Sequence, residues 1–286
     1  MRSEMSRKDR AIFRHCQRTF KNQLIHLNIL RNGLRTSPFR SHLSPLNRAI
    51  ASFSMNFSAL LRTILLACSL LLTLTVRAER RVFLLRNFDR FEVSNEFVVE
   101  IKPGDVYRVV VVGAPRDLKN LEAGFVRSSS TAFVRFRRDY LNPSKMRVRL
   151  TVTLPTLRGL SLGGKSKTML EGFKNLDAFD LKLSGEAKAK LQFKAQKVTL
   201  AAGGASELTI IGETTDFNGT VFGGSEVRAY NFEVRNARLS LSGASLVHAL
   251  VSKSLVAEAS GGSTLLYRGG ARLRSSTSGG STVRNE

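Results

Sequence analysis

The chain has 286 residues and a net charge of +23, from 45 Lys and Arg against 22 Asp and Glu. That charge points first to nucleic acid. Residues 1–54, however, hold 11 basic and 2 acidic residues, and residues 55–78 add two arginines, so residues 79–286 keep 32 against 20, mixed in sign as on solvated surfaces; no nucleic-acid partner is expected.

Residues 1–54 are basic, rich in Ser, Arg and Asn and without hydrophobic periodicity, the composition of a disordered upstream segment. At Met55 the character changes. Met55 to Arg62 forms a short n-region, Thr63 to Val76 is a fourteen-residue uncharged and mostly apolar run, and Val76-Arg77-Ala78 offers a small-residue cleavage signal. These are the parts of a secretory signal peptide over 55–78, and the apolar run is short of the roughly 20 residues of a membrane span. Cleavage is expected after Ala78, with Met55 as the true start and residues 1–54 left untranslated. The product is then placed in the periplasm, on the outer membrane surface or outside the cell. Leu65-Leu66-Ala67-Cys68 loosely resembles a lipobox, and lipidation at Cys68 is the one route to membrane contact that the sequence offers; the apolar run continues past it, unlike that of a lipoprotein.

Cys16 and Cys68 both precede residue 79, as do His15, His26 and His42. The region that follows has no thiol for a disulfide or a Cys-ligated metal, and His248 alone cannot build a multi-His site. No cofactor is expected, and His248, in a strand-like run, reads as structural or surface.

Residues 82–154 read as successive strands: Val82–Leu85, Phe88–Val93, Phe97–Ile101, Tyr107–Val112, Thr131–Phe136 and Arg147–Leu154. Turn formers separate several of them, at Lys102-Pro103-Gly104-Asp105, Gly113-Ala114-Pro115 and Leu141-Asn142-Pro143-Ser144. The last strand alternates strictly, one face for a core and one for solvent. Asp117–Ala123 is the one stretch expected to make a short helical turn.

From residue 158 the pattern becomes periodic. Gly-rich turns end on a small residue at Ser166, Ala187, Ser206, Ser225, Ser245, Ser263 and Ser281, spaced 21, 19, 19, 20, 18 and 18 apart. Four and six residues before these anchors stand pairs such as Leu162 and Leu160, Leu183 and Leu181, Leu241 and Leu239; two residues after stand Leu208, Val227, Val247, Leu265 and Val283. Apolar positions two apart on each side of a turn are strand spacing, and units of 18–21 residues are too short for helical solenoids. The expectation is all-β: a right-handed single-stranded parallel β-helix with coils of 18–21 residues over 79–286. The position after each anchor then forms an outward ladder, Lys167, Lys188, Glu207, Glu226, Leu246, Thr264, Thr282, in which Lys188 meets Glu207. The turn within Val221–Val227 reads as shortened.

The L-x-L-S-G-x-S-like turns of 160–283, preceded by Phe88-x-x-Phe91-x-Val93 and Val98-x-x-Ile101-x-x-Gly104, resemble the head GIN domain of the family named "putative auto-transporter adhesin", over about 87–283. The resemblance implies a right-handed parallel β-helix, an envelope or extracellular setting and no catalytic residue to carry over. The leading expectation is an exported non-enzymatic binding or structural module that meets an anionic glycan or envelope polymer through Arg135, Arg137, Arg138, Lys188, Lys190 and Lys194. One rival is a carbohydrate-active enzyme using Asp177 with Asp180, or Glu213 with Asp216. The other is an architectural module that self-associates through an open terminal rung.

Overall fold

The computed structural model describes residues 78–286, apart from 128, 142 and 144–146. The upstream segment, Met55, Cys68, nearly all of the signal sequence and part of the 141–144 turn lie outside the described residues. Sixteen strands and one short helix follow in chain order: β1 Glu79–Phe83, β2 Arg90–Val93, β3 Val98–Pro103, β4 Arg108–Gly113, α1 Pro115–Lys119, β5 Leu121–Phe125, β6 Thr131–Phe136, β7 Arg149–Leu154, β8 Gly159–Leu162, β9 Lys167–Leu183, β10 Lys188–Ala202, β11 Glu207–Val221, β12 Glu226–Leu241, β13 Leu246–Ala259, β14 Thr264–Arg268, β15 Arg272–Thr277 and β16 Thr282–Asn285.

From β8 onward each strand lies parallel on the equivalent strand of the next coil, and the fold is a parallel β-helix. Inward residues stack in columns. Thr168, Ala189, Leu208, Val227, Val247, Leu265 and Val283 pair in turn down the axis, and Leu208, Val227, Val247 and Leu265 are almost wholly buried. Fully burying one such aliphatic side chain is worth roughly 1.5–3 kcal/mol, so this alternation, repeated coil after coil, supplies the main driving force.

The turns are built alike. Ser94-Asn95-Glu96-Phe97 begins the stack, above Gly163-Gly164-Lys165-Ser166: the amide of Gly163 donates to the Val93 carbonyl and that of Lys167 to Phe97. The second residue of every turn has positive φ, Asn95 at 76° and then Gly164, Gly185, Gly204, Gly223, Gly243, Gly261 and Gly279 at 64–78°. Each glycine sits so close to the one above that a Cβ on Gly185 would stand 2.9 Å from the Gly164 carbonyl oxygen, which is why the sequence keeps glycine there. The fourth residue is the anchor, and Ser166, Ala187, Ser206, Ser225, Ser245 and Ser263 are all buried. At three of the serine anchors the hydroxyl closes the bend: Ser225, Ser263 and Ser281 donate to the carbonyls of Phe222, Ser260 and Ser278 at 3.0, 3.0 and 2.7 Å. Ser206 donates across the stack to Ser225 at 3.2 Å.

Two expectations need correction. The turn before Ser225 is not shortened: Phe222-Gly223-Gly224-Ser225 has four residues like its neighbours, and the Phe222 amide donates to Ala202 in the usual register. Phe222 stands where the other turns have Gly or Ser, and its ring lies over Gly203, the glycine above it. The helical turn is Pro115–Lys119, and from Leu121 the chain is already strand β5, not helix. Pro115 starts the helix and the C-cap at Asn120 ends it.

The first coils also depart from a purely parallel stack. β6 and β7 lie parallel on β2 and β3, but β5 pairs antiparallel with β6, β4 with β7, and β1 with β4. These antiparallel strands, with α1, form an N-terminal cap over the parallel coils.

Candidate functional site

Arg135, Arg137 and Arg138 come from β6 and the residues just after it, and they converge with Arg147 on one pocket of about 720 Å³ at the cap. Strand alternation places Phe136 inward between the arginines. An aromatic series forms the apolar wall: Phe97 meets Phe136 at 4.9 Å and Phe136 meets Tyr140 at 5.3 Å between ring centroids. The first turn fixes this wall, because the Asn95 side-chain carbonyl accepts the Phe136 amide at 3.2 Å.

Behind the wall lies Asp117, fully buried at the start of α1. It accepts the Tyr140 hydroxyl at 2.5 Å, while the Arg116 Nε donates to the same tyrosine oxygen at 3.2 Å. Burial, reinforced by the hydrogen bond to Asp117, pushes the Tyr140 phenol above its ordinary value, so it stays a neutral donor. Arg135 donates to Glu122 at 3.3 Å and lies 4.4 Å over the Phe133 ring. Arg137 pairs with Asp139 at 3.4 Å. Among the described residues Arg138 and Arg147 make no ion pair, and both are exposed. The pocket thus joins a hydrophobic wall to a rim of guanidinium groups, which bind planar oxyanions by paired hydrogen bonds.

The three lysines lie elsewhere, on the outward side of β10. Lys188 takes its expected place between Lys167 and Glu207 and pairs with Glu207 at 2.5 Å. That contact holds the Glu207 carboxyl below its usual range. Lys190 stands between Met169 and Thr209. Lys194 pairs with Glu213 at 3.0 Å in a groove of about 690 Å³ along the corner of the coils, also lined by Glu233, Arg235, Ser252 and Lys253. The six cations therefore form two groups, and the three arginines share the pocket beside Phe136.

Three of the four acids considered for catalysis are engaged structurally. Asp180 pairs with Arg90 at 2.9 Å, Glu213 with Lys194, and Asp216 accepts the Asn236 amide at 3.1 Å; Asp177 is exposed. Among the described residues no three His, Cys, Asp or Glu are grouped to hold a metal. His248 stacks edge-on against Tyr230 at 4.9 Å, a structural contact. Arg147, Tyr140 and Asp117 escaped the sequence reading. The strict alternation of 147–154 marks Arg147 as outward, but nothing local reveals that a strand from another coil closes a pocket beside it.

A family model described as "Putative auto-transporter adhesin, head GIN domain" matches residues 87–271. Solved structures share the fold. A "putative adhesin" from Bacteroides fragilis NCTC 9343 is 17% identical with a TM-score of 0.63, covering 73% of this chain and 97% of its own. A "putative lipid binding protein" from Parabacteroides distasonis ATCC 8503 is 14% identical at TM-score 0.61, covering 74% and 98%. A "putative adhesin" from Parabacteroides merdae ATCC 43184 is 10% identical at 0.60, covering 74% and 97%. These neighbours consist almost wholly of the shared fold. A comparison with curated proteins gives no match.

Proposed function

The chain belongs to the family described as "putative auto-transporter adhesin, head GIN domain", and from that premise we propose an exported, non-enzymatic protein of the cell envelope that binds an anionic glycan or envelope polymer. The observation that carries this reading is the convergence of Arg135, Arg137, Arg138 and Arg147 on one pocket with an aromatic wall. Sugar rings present apolar faces that lie against such a wall, and their carboxylates or phosphates suit the guanidinium rim. The ladder lysines act as secondary contacts, since Lys188 and Lys194 already face acids. Export is supported by the signal-like sequence upstream of β1 and the adhesin family. A non-catalytic role is supported by the engagement of Asp180, Glu213 and Asp216 in structural contacts.

Residues 79–286 binding polygalacturonate on a surface at low salt test the reading directly. A hydrogen bond to a charged group is worth about 1.5–3 kcal/mol, so the double substitution Arg137→Gln, Arg138→Gln is expected to weaken binding at least tenfold while neutral dextran stays unbound. Unchanged retention of the double variant would defeat the proposal.

A second reading is end-to-end assembly. β15 and β16 are each hydrogen-bonded along one side among the described strands, and β15 is exposed throughout. Free strand edges promote pairing. A sedimentation coefficient that rises with concentration supports this reading, and one independent of concentration opposes it.

A further inference from the structure

We propose that the N-terminal cap docks end-on against an anionic lipid bilayer. The cap together with the strand and loop that bear the arginine pocket, residues 79–86 and 105–149, holds 13 basic and 5 acidic residues, a net of +8 out of the +12 carried by 79–286. The same end gathers exposed apolar side chains. Of nine large hydrophobic residues exposed among those described, five lie in the cap, Val82, Leu84, Val106, Phe125 and Val126, and Leu141 lies beside it at the arginine pocket. Leu84 and Val106 are 81% and 65% exposed, too open for any role in the core. They are neighbours in the fold, because Phe83 pairs with Val109, which brings the end of β1 against the start of β4.

Arginines accompany them. Arg80, Arg86, Arg108 and Arg127 are exposed and make no ion pair among the described residues. Arg81 differs, being spent on the Leu118 carbonyl at 3.0 Å and on the Phe83 ring. Apolar residues that enter the headgroup boundary, surrounded by free cations, are the composition of an interfacial binding face. Polymer binding alone gives no reason to expose Leu84 and Val106. The contact needs no lipid on Cys68 and does not depend on the ligand of the arginine pocket.

The test is co-sedimentation of residues 79–286 with vesicles of phosphatidylglycerol and phosphatidylcholine, against phosphatidylcholine alone. A basic residue near such a surface contributes about 1 kcal/mol, or roughly fivefold in partitioning. The variant Arg80→Gln, Arg86→Gln, Leu84→Ser, Val106→Ser is therefore expected to lose at least twenty-fold in binding to the charged vesicles, with an unchanged melting temperature and unchanged polygalacturonate binding. The matched change at the other end, Arg272→Gln, Arg274→Gln, Leu273→Ser, is expected to keep vesicle binding within about twofold. Equal loss in both variants, loss of polygalacturonate together with vesicles, or no preference of the parent chain for charged vesicles would each overturn the proposal.

Discussion

Gly223 and Gly224 are adjacent in sequence and in the same turn, yet alanine should act on them in opposite ways. Gly223 has φ of 75°, and a Cβ there would stand 2.6 Å from the Gly204 carbonyl oxygen, backbone that cannot swing aside. The left-handed conformation costs an L-residue about 1–2 kcal/mol, and the clash brings the loss to about 2–3 kcal/mol. For a unit of this size that lowers the melting temperature by roughly 4–12 °C. At Gly224 the nearest atom to a new Cβ is the same oxygen at 3.7 Å, an ordinary contact. The neighbouring turns already carry Lys165, Glu186, Ala205 and Ala244 at that position. Gly224→Ala should be neutral, or stabilise by about 0.4–1 kcal/mol through the unfolded chain. Paired thermal melts of residues 79–286 decide the matter. Equal shifts for the two variants, or a larger loss at Gly224, would refute the stacking of left-handed glycines as the source of turn geometry.

Lys188 and Glu207 should show a coupling below about 1 kcal/mol in a double-mutant cycle, since both are exposed, and it should fade in high salt. Because the Glu207 carboxyl is held below its unfolded value, that coupling is present above the unfolded pKa and should be lost as pH falls through the folded one. Tyr230, bulged from β12, donates its hydroxyl to Glu286 at 2.7 Å and carries Arg268 over its ring at 4.2 Å. Burial, with the bond to Glu286, pushes its phenol up to about 12. The stabilisation is therefore full below the ordinary tyrosine value near 10 and lost as pH climbs toward 12; spectrophotometric titration should show a late phenol near 12 that Tyr230→Phe removes. Ser206→Cys with Ser225→Cys should oxidise to a disulfide within one chain, because the two hydroxyls touch at 3.2 Å. Ser206→Cys with Ser245→Cys, separated by a full coil, should stay reduced.

Much of the solenoid was legible because its determinants are local and repeated. A glycine at the second turn position, a small anchor at the fourth and apolar residues two apart on either side recur often enough to fix register, and the Lys188–Glu207 neighbour pair followed from it. The cap was legible only as a set of strands. Whether β4 runs parallel or antiparallel to β7 depends on where the chain crosses after Gly113, and no residue near Val109 records that. Asn95 heads the column of glycines, but a lone Ser-Asn-Glu-Phe lacks the repetition that marks the later turns. The pocket was half visible: Arg135, Arg137 and Arg138 stand close in sequence, whereas Asp117, Tyr140 and Arg147 reach it from other elements.

Hydrogen exchange with and without bound polygalacturonate tests the central claim most directly, since it locates the ligand on the solenoid. Protection is predicted in Ser94–Phe97 and Thr131–Arg138, the first turn and the strand that bear the arginine pocket, with little change along β10 to β13. Protection confined to the outward faces of those later coils, with the cap unaffected, would contradict the assignment of binding to the arginine pocket.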